Sequence, residues 1–150
     1  MTPQQKSIVQ TTWQQVVPIA DQAASLFYER LFEFDPDLRA MFANADMTAQ
    51  RKKLIQALTV VVSALDHVEE IVPHLEDLGR RHAGYGVTDE HYVTVGRALI
   101  WTLEKGLGDD WTTDTSDAWA AAYSLVATVM QKAAIDAGSQ RPRTSAPVAA

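Results

Sequence analysis

Apolar residues in this chain recur at helical spacing and almost nowhere alternate, and that pattern most narrows the folds open to it. Leu54, Ala57, Leu58, Val61 and Leu65 follow one another at steps of three, one, three and four. Such steps put them on one face of a helix. No stretch reads as a convincing strand, and no internal repeat occurs. The pattern predicts an all-α chain whose helices each bury one stripe.

Prolines, glycines and capping residues divide that pattern into segments. Thr2 caps a first helix, with Pro3 at its first position and Gln5 completing a capping box. Val9, Trp13, Val16 and Val17 share its inner face. Pro18 breaks or restarts the helix. A second helix runs to about Leu31, burying Ala24, Phe27, Tyr28 and Leu31. Phe32 to Phe42 reads as a corner and a short helix begun at Pro36. Asp46 or Thr48 caps the long helix that follows, and His67 lies near its end. After Pro73 comes a short helix bearing His82, closed by Gly84 and Gly86. Thr88 caps the next helix, with Tyr92, Val95, Leu99 and Leu103 inward and Gly106 and Gly108 at its end. Asp109, Asp110 and Asp114 crowd the start of a last helix lined by Trp119, Ala122, Tyr123, Val126, Met130 and Ala133. Residues 1–137 are expected to form one domain. Residues 138–150 are polar, Pro-containing and patternless, and are expected to be a disordered tail.

Composition removes several functions. A chain of 150 residues, 47% hydrophobic, has enough material for one packed core. Its net charge of −6 argues against nucleic acid and against an anionic membrane surface as partners. Without cysteine there are no disulfides, no thiolate catalysis, no iron–sulfur cluster and no thioether-linked haem. That composition suits a reducing cytoplasm. The first residues carry no basic-then-apolar leader, and no apolar run is long enough to span a bilayer. No glycine-rich dinucleotide fingerprint occurs.

Glu76 to Val87 holds the residue with the most chemistry. His82 lies in the last turn of its helix and presents an imidazole nitrogen from rigid backbone between apolar helices. A single-ligand metal or haem site needs that arrangement. A histidine at a helix C-terminus also serves simply as a partner for the helix dipole. Read alone, the window leaves both roles open.

Taken together, the segments resemble a single-domain bacterial haemoglobin, close to the globin part of the flavohaemoglobins. The resemblance covers about residues 2–136. It rests on Phe27-Tyr28 with Leu31-Phe32, on Pro36 followed by Met41-Phe42, on Gln50 and Leu54, and on Leu78-Gly79-Arg80-Arg81-His82 with Gly86-Val87. His91-Tyr92 leading to Val95-Gly96, and Trp119-Ala120-Ala121-Ala122-Tyr123, complete it. It implies a globin fold around one non-covalent haem b, with His82 as the iron ligand and the Leu78 carbonyl holding its other ring nitrogen. Tyr28 and Gln50 would be the polar groups on the distal side, with Tyr28 donating a hydrogen bond to captured oxygen. Phe42 and Leu54 would pack on the haem faces, Val87 on its edge and Tyr92 beneath it, with Tyr123 also in the cofactor-binding set. His91, Arg81 and Lys53 are candidates for a haem propionate, whereas His67 and His74 are expected at the surface.

One departure from the family pattern is visible. The flavohaemoglobin glutamate that joins the proximal histidine and the tyrosine matching Tyr92 is replaced by Ala134. Asp136 lies two residues on, about 200° around the helix, and should not substitute. His82 should then behave as an ordinary neutral imidazole, which favours reversible binding over peroxidase-like chemistry. The resemblance therefore implies reversible binding of oxygen, and of nitric oxide. An alternative is nitric oxide dioxygenase activity dependent on an external reductase. A haem-free regulatory module with the same fold is a third reading.

Overall fold

The computed structural model describes residues 1–138, which form seven α-helices and no strand. These are α1 (Pro3–Val16), α2 (Ala20–Phe34), α3 (Leu38–Met41), α4 (Met47–Ser63), α5 (Val72–Gly84), α6 (Asp89–Leu107) and α7 (Thr113–Gly138). Short 3₁₀ turns cover Val17–Ile19, Leu65–Glu70 and Gly108–Asp110. The expected tail from residue 139 lies outside the described residues.

Local chemistry sets most of the boundaries. Thr2 Oγ1 accepts from Gln5 N–H while Gln5 Oε1 accepts from Thr2 N–H, so the box at the start of α1 is closed. Asp46 Oδ1 accepts from Thr48 and Ala49, which starts α4. Pro18 opens a 3₁₀ turn between α1 and α2. That turn carries Val17 off the α1 stripe and leaves it 49% exposed, against its expected place in the core. α2 continues to Phe34, one turn beyond the expected end. It stops where Asp35 takes φ −143° and ψ 90°, because the ring of Pro36 excludes helical backbone from the residue before it.

The core gathers Val9, Trp13 and Val16 of α1, Phe27, Tyr28 and Leu31 of α2, Leu99 and Leu103 of α6, and Trp119 and Ala122 of α7. Two indoles pin α1 in place. Trp119 Nε1 donates to the buried Thr12 hydroxyl at 2.9 Å, and Trp13 Nε1 donates to Thr59 of α4 at 3.2 Å. Their rings meet at 6.0 Å between centroids.

Helix pairing sets the frame for the site. α6 crosses α2, α7 runs along α5 and α1, and α4 leans on α2 and α1. α4 and α5 thus take different partners. The stripe expected to be buried on α4 is only partly covered: Leu54, Ala57, Leu58 and Val61 are half-buried. Leu65 is buried, but from the 3₁₀ turn rather than from α4. At the other contact, α5 lies flush on α7. A Cβ on Gly79 would sit 2.2 Å from the Met130 carbonyl oxygen, so only glycine admits this approach.

Candidate functional site

His82 is held by backbone on both sides. α5 closes with the Val87 N–H on the His82 carbonyl and the Gly86 N–H on the Ala83 carbonyl, the double closure of a Schellman cap. This needs one left-handed residue, and Gly86 supplies it at φ +88°. Gly84, expected to share that task, remains inside the helix. The imidazole is fixed as well: Nδ1 lies 2.7 Å from the Leu78 carbonyl oxygen. A carbonyl can only accept, so Nδ1 carries the proton and Nε2 the lone pair. Burial pushes the histidine below its usual pKa, and the neighbouring Arg81 charge adds to that, while the Leu78 bond opposes it. At neutral pH the side chain is an uncharged donor with one nitrogen committed and the other open.

A second cluster forms where α2, α3 and α4 meet. Tyr28 is buried on α2. Its ring meets Phe27 at 5.0 Å, Phe42 at 5.6 Å and Phe32 at 6.2 Å, and Phe32 meets Phe42 at 5.6 Å. Burial raises the phenol pKa, so the hydroxyl stays protonated and able to donate; the Gln50 side chain beside it draws the value partly back. Gln50 and Leu54 lie one turn apart on α4, both half-buried. The structure therefore brings together Tyr28, Gln50 and Phe42. Phe32, which the sequence marks only as part of a motif, completes the aromatic wall, and the Arg39 guanidinium caps it at 5.1 Å.

Tyr92 and Tyr123 meet where α6 packs on α7. The Tyr92 hydroxyl is buried with no hydrogen-bond partner among the described residues, so neither Ala134 nor Asp136 provides one. Burial, then the Asp89 charge, raises its pKa. The Tyr123 hydroxyl donates to the Tyr92 carbonyl. Its ring fills the space that a Cβ on Gly96 would take, 2.8 Å away. Tyr123 is a strut between α6 and α7. Only the small residue at position 96 hints at this, and the hint needs the partner helix to be read.

The remaining polar candidates are engaged elsewhere or exposed. His91 Nδ1 accepts from Thr88 N–H at 3.0 Å, closing the cap of α6. Arg81 pairs with Asp77 along α5 at 2.9 Å. His67 and His74 are exposed, and Val87 is half-buried just past the cap. Among the described residues, no group of three or more histidine, cysteine, aspartate or glutamate side chains stands ready to hold a bare metal ion. No helix of the described chain is long and apolar enough to cross a membrane.

The described residues thus form an all-helical frame with one neutral imidazole held at a capped helix end and a buried phenol beside a half-buried amide. The globin family model matches residues 25–130, and the chain belongs to that family. It is similar to the flavohemoprotein of Deinococcus radiodurans, 31% identical over 147 residues, which is 95% of this chain and 36% of the relative. It is similar to the flavohemoprotein of Bacillus subtilis, 33% identical over 103 residues, 67% of this chain and 26% of the relative. Neuroglobin of Danio rerio is 25% identical over 145 residues, covering 88% of this chain and 91% of that one. The chain thus spans about a third of the flavohemoproteins it matches.

Proposed function

We infer that this chain holds one haem b on His82 and uses it to bind small diatomic gases reversibly, oxygen foremost. The observation that carries the reading is the His82 imidazole, neutral, with Nδ1 on Leu78 and Nε2 uncommitted. One imidazole does not retain a bare ion, and the described residues offer no further ligand set. A single nitrogen suits iron that arrives with its own planar donors, as in haem. The donor set therefore fits. Absence of cysteine excludes thioether attachment, which favours haem b, and is compatible with a cytoplasmic location.

A haem bound there supplies iron with a coordination position for a diatomic ligand. The chain supplies the rest. Leu78 fixes the imidazole tautomer and ring plane. Phe42, Leu54 and Val87 offer apolar surface at the edges of the two clusters, which limits water. Tyr28 keeps its proton and offers it in a hydrogen bond to a polar diatomic, with Gln50 orienting the phenol. In a dry pocket such a bond slows release by about tenfold to a hundredfold.

Likeness to proteins named flavohemoprotein is compatible with a second use of the same residues, oxidation of nitric oxide to nitrate by oxygen, which supplies both added atoms, with one electron per turnover from an external reductase. Absorption spectra of ferric, ferrous and oxygenated protein test the binding reading. Nitric oxide consumption measured with and without an added reductase separates it from the second.

A further inference from the structure

On the face where α2 crosses α6, cations and aromatic rings alternate. Arg97, Trp101 and Lys105 lie at successive turns of α6, and Arg30 and Phe34 at successive turns of α2. The Arg97 guanidinium stands 4.4 Å from the centre of the Phe34 ring, and Arg30 covers the same ring at 4.8 Å. Arg30 also covers Trp101 at 4.6 Å, and the Lys105 ammonium stands 5.9 Å from that indole. The result is one ladder, Arg97–Phe34–Arg30–Trp101–Lys105, about 12 Å long by helix rise.

Its charge is poorly answered within the chain. Glu33 bonds Arg30 Nη1 at 3.0 Å. Arg97 and Lys105 pair with no carboxylate among the described residues. Arg30 Nε is buried without an acceptor among the described residues. A compact positive patch thus sits on a chain of net charge −6.

We propose that this ladder is the docking site for an acidic segment of a partner protein. Two or three carboxylates seat on Arg97, Arg30 and Lys105, and an apolar side chain lies against Trp101. The inference is independent of haem binding. The rings hold the cations at set spacings, so little side-chain freedom is lost on binding. Arginine and tryptophan are the residues that anchor interfaces. The net negative charge of the chain repels an acidic partner while the patch attracts it, which favours one orientation and speeds encounter. A nucleic acid fits worse, because its backbone charge runs past the patch onto acidic surface. A second copy docked patch to patch across a two-fold axis would set these cations against their own counterparts.

Nitrogen-15 spectra of the full chain, titrated with hexaglutamate amide, test this. Saturable shifts are expected at residues 30–34 and 97–105 and not elsewhere. The Kd should weaken by about tenfold or more in Arg97→Glu/Lys105→Glu, two exposed positions where circular dichroism checks that the fold persists. No saturable shift, or an unchanged Kd in the double variant, overturns the proposal. Tighter binding of short duplex DNA than of hexaglutamate would overturn it in favour of polyanions at large. Self-association of the wild type that the double variant loses in sedimentation would overturn it in favour of a second copy.

Discussion

His82 Nδ1 and the Leu78 carbonyl oxygen stand 2.7 Å apart, one helical turn from each other. That bond decides which nitrogen of the imidazole is open, and the Schellman cap built on Gly86 holds the backbone from which it is made. Nitrogen-15 spectra of the haem-free protein at neutral pH should show the Nδ1–H tautomer of His82. Predominance of the Nε2–H tautomer would remove the open lone pair.

Tyr28→Phe leaves the ring contacts with Phe42 and Phe32 in place and deletes the hydroxyl beside Gln50. Oxygen release measured by stopped flow should quicken about tenfold to a hundredfold. Gln50→Leu should act through the same phenol, so the double variant should fall well short of the product of the single effects. An unchanged rate in Tyr28→Phe would take Tyr28 out of ligand binding.

Gly79→Ala drives a methyl group into the Met130 backbone, which cannot swing aside as a side chain would. α5 must lift from α7, at a cost of about 1–3 kcal/mol. Urea unfolding reads that cost as a lower midpoint with an unchanged slope. His82, one turn further on, should be displaced with the helix and hold haem less tightly.

Three of the four tyrosines, Tyr28, Tyr92 and Tyr123, have pKa values raised chiefly by burial. Each keeps its proton in the folded chain at pH values where the unfolded chain has lost it. The unfolded state then binds fewer protons, so stability falls as pH rises above about 10. Below that pH the three contribute no slope. Phenolate absorbance at alkaline pH should lag in the folded protein and jump on unfolding, and Tyr92→Phe, which also removes the unpartnered hydroxyl, should flatten the alkaline loss. Simple titration of all tyrosines without a lag would contradict the burial.

Chemistry between near neighbours is legible in the residue order alone. The Thr2–Gln5 box, the Asp46 cap and the His82–Leu78 bond each involve residues within one turn of one another. Features that depend on a second helix are not legible in this way. Nothing near Gly79 announces Met130, and nothing near Tyr123 announces the Tyr92 carbonyl. The α4 stripe is visible as a pattern, but how far it is covered depends on α4 and α5 taking different partners. The ladder from Arg97 to Lys105 is equally hidden, because its rungs alternate between α2 and α6.

Titration of the purified protein and of His82→Ala with haem, followed by absorption, tests the central claim most directly. The wild type should take up one haem per chain and give distinct ferric, ferrous and oxygenated spectra, whereas His82→Ala should bind it weakly or lose it to a competing acceptor. Equally tight uptake by His82→Ala, with the iron still five-coordinate, would contradict the account.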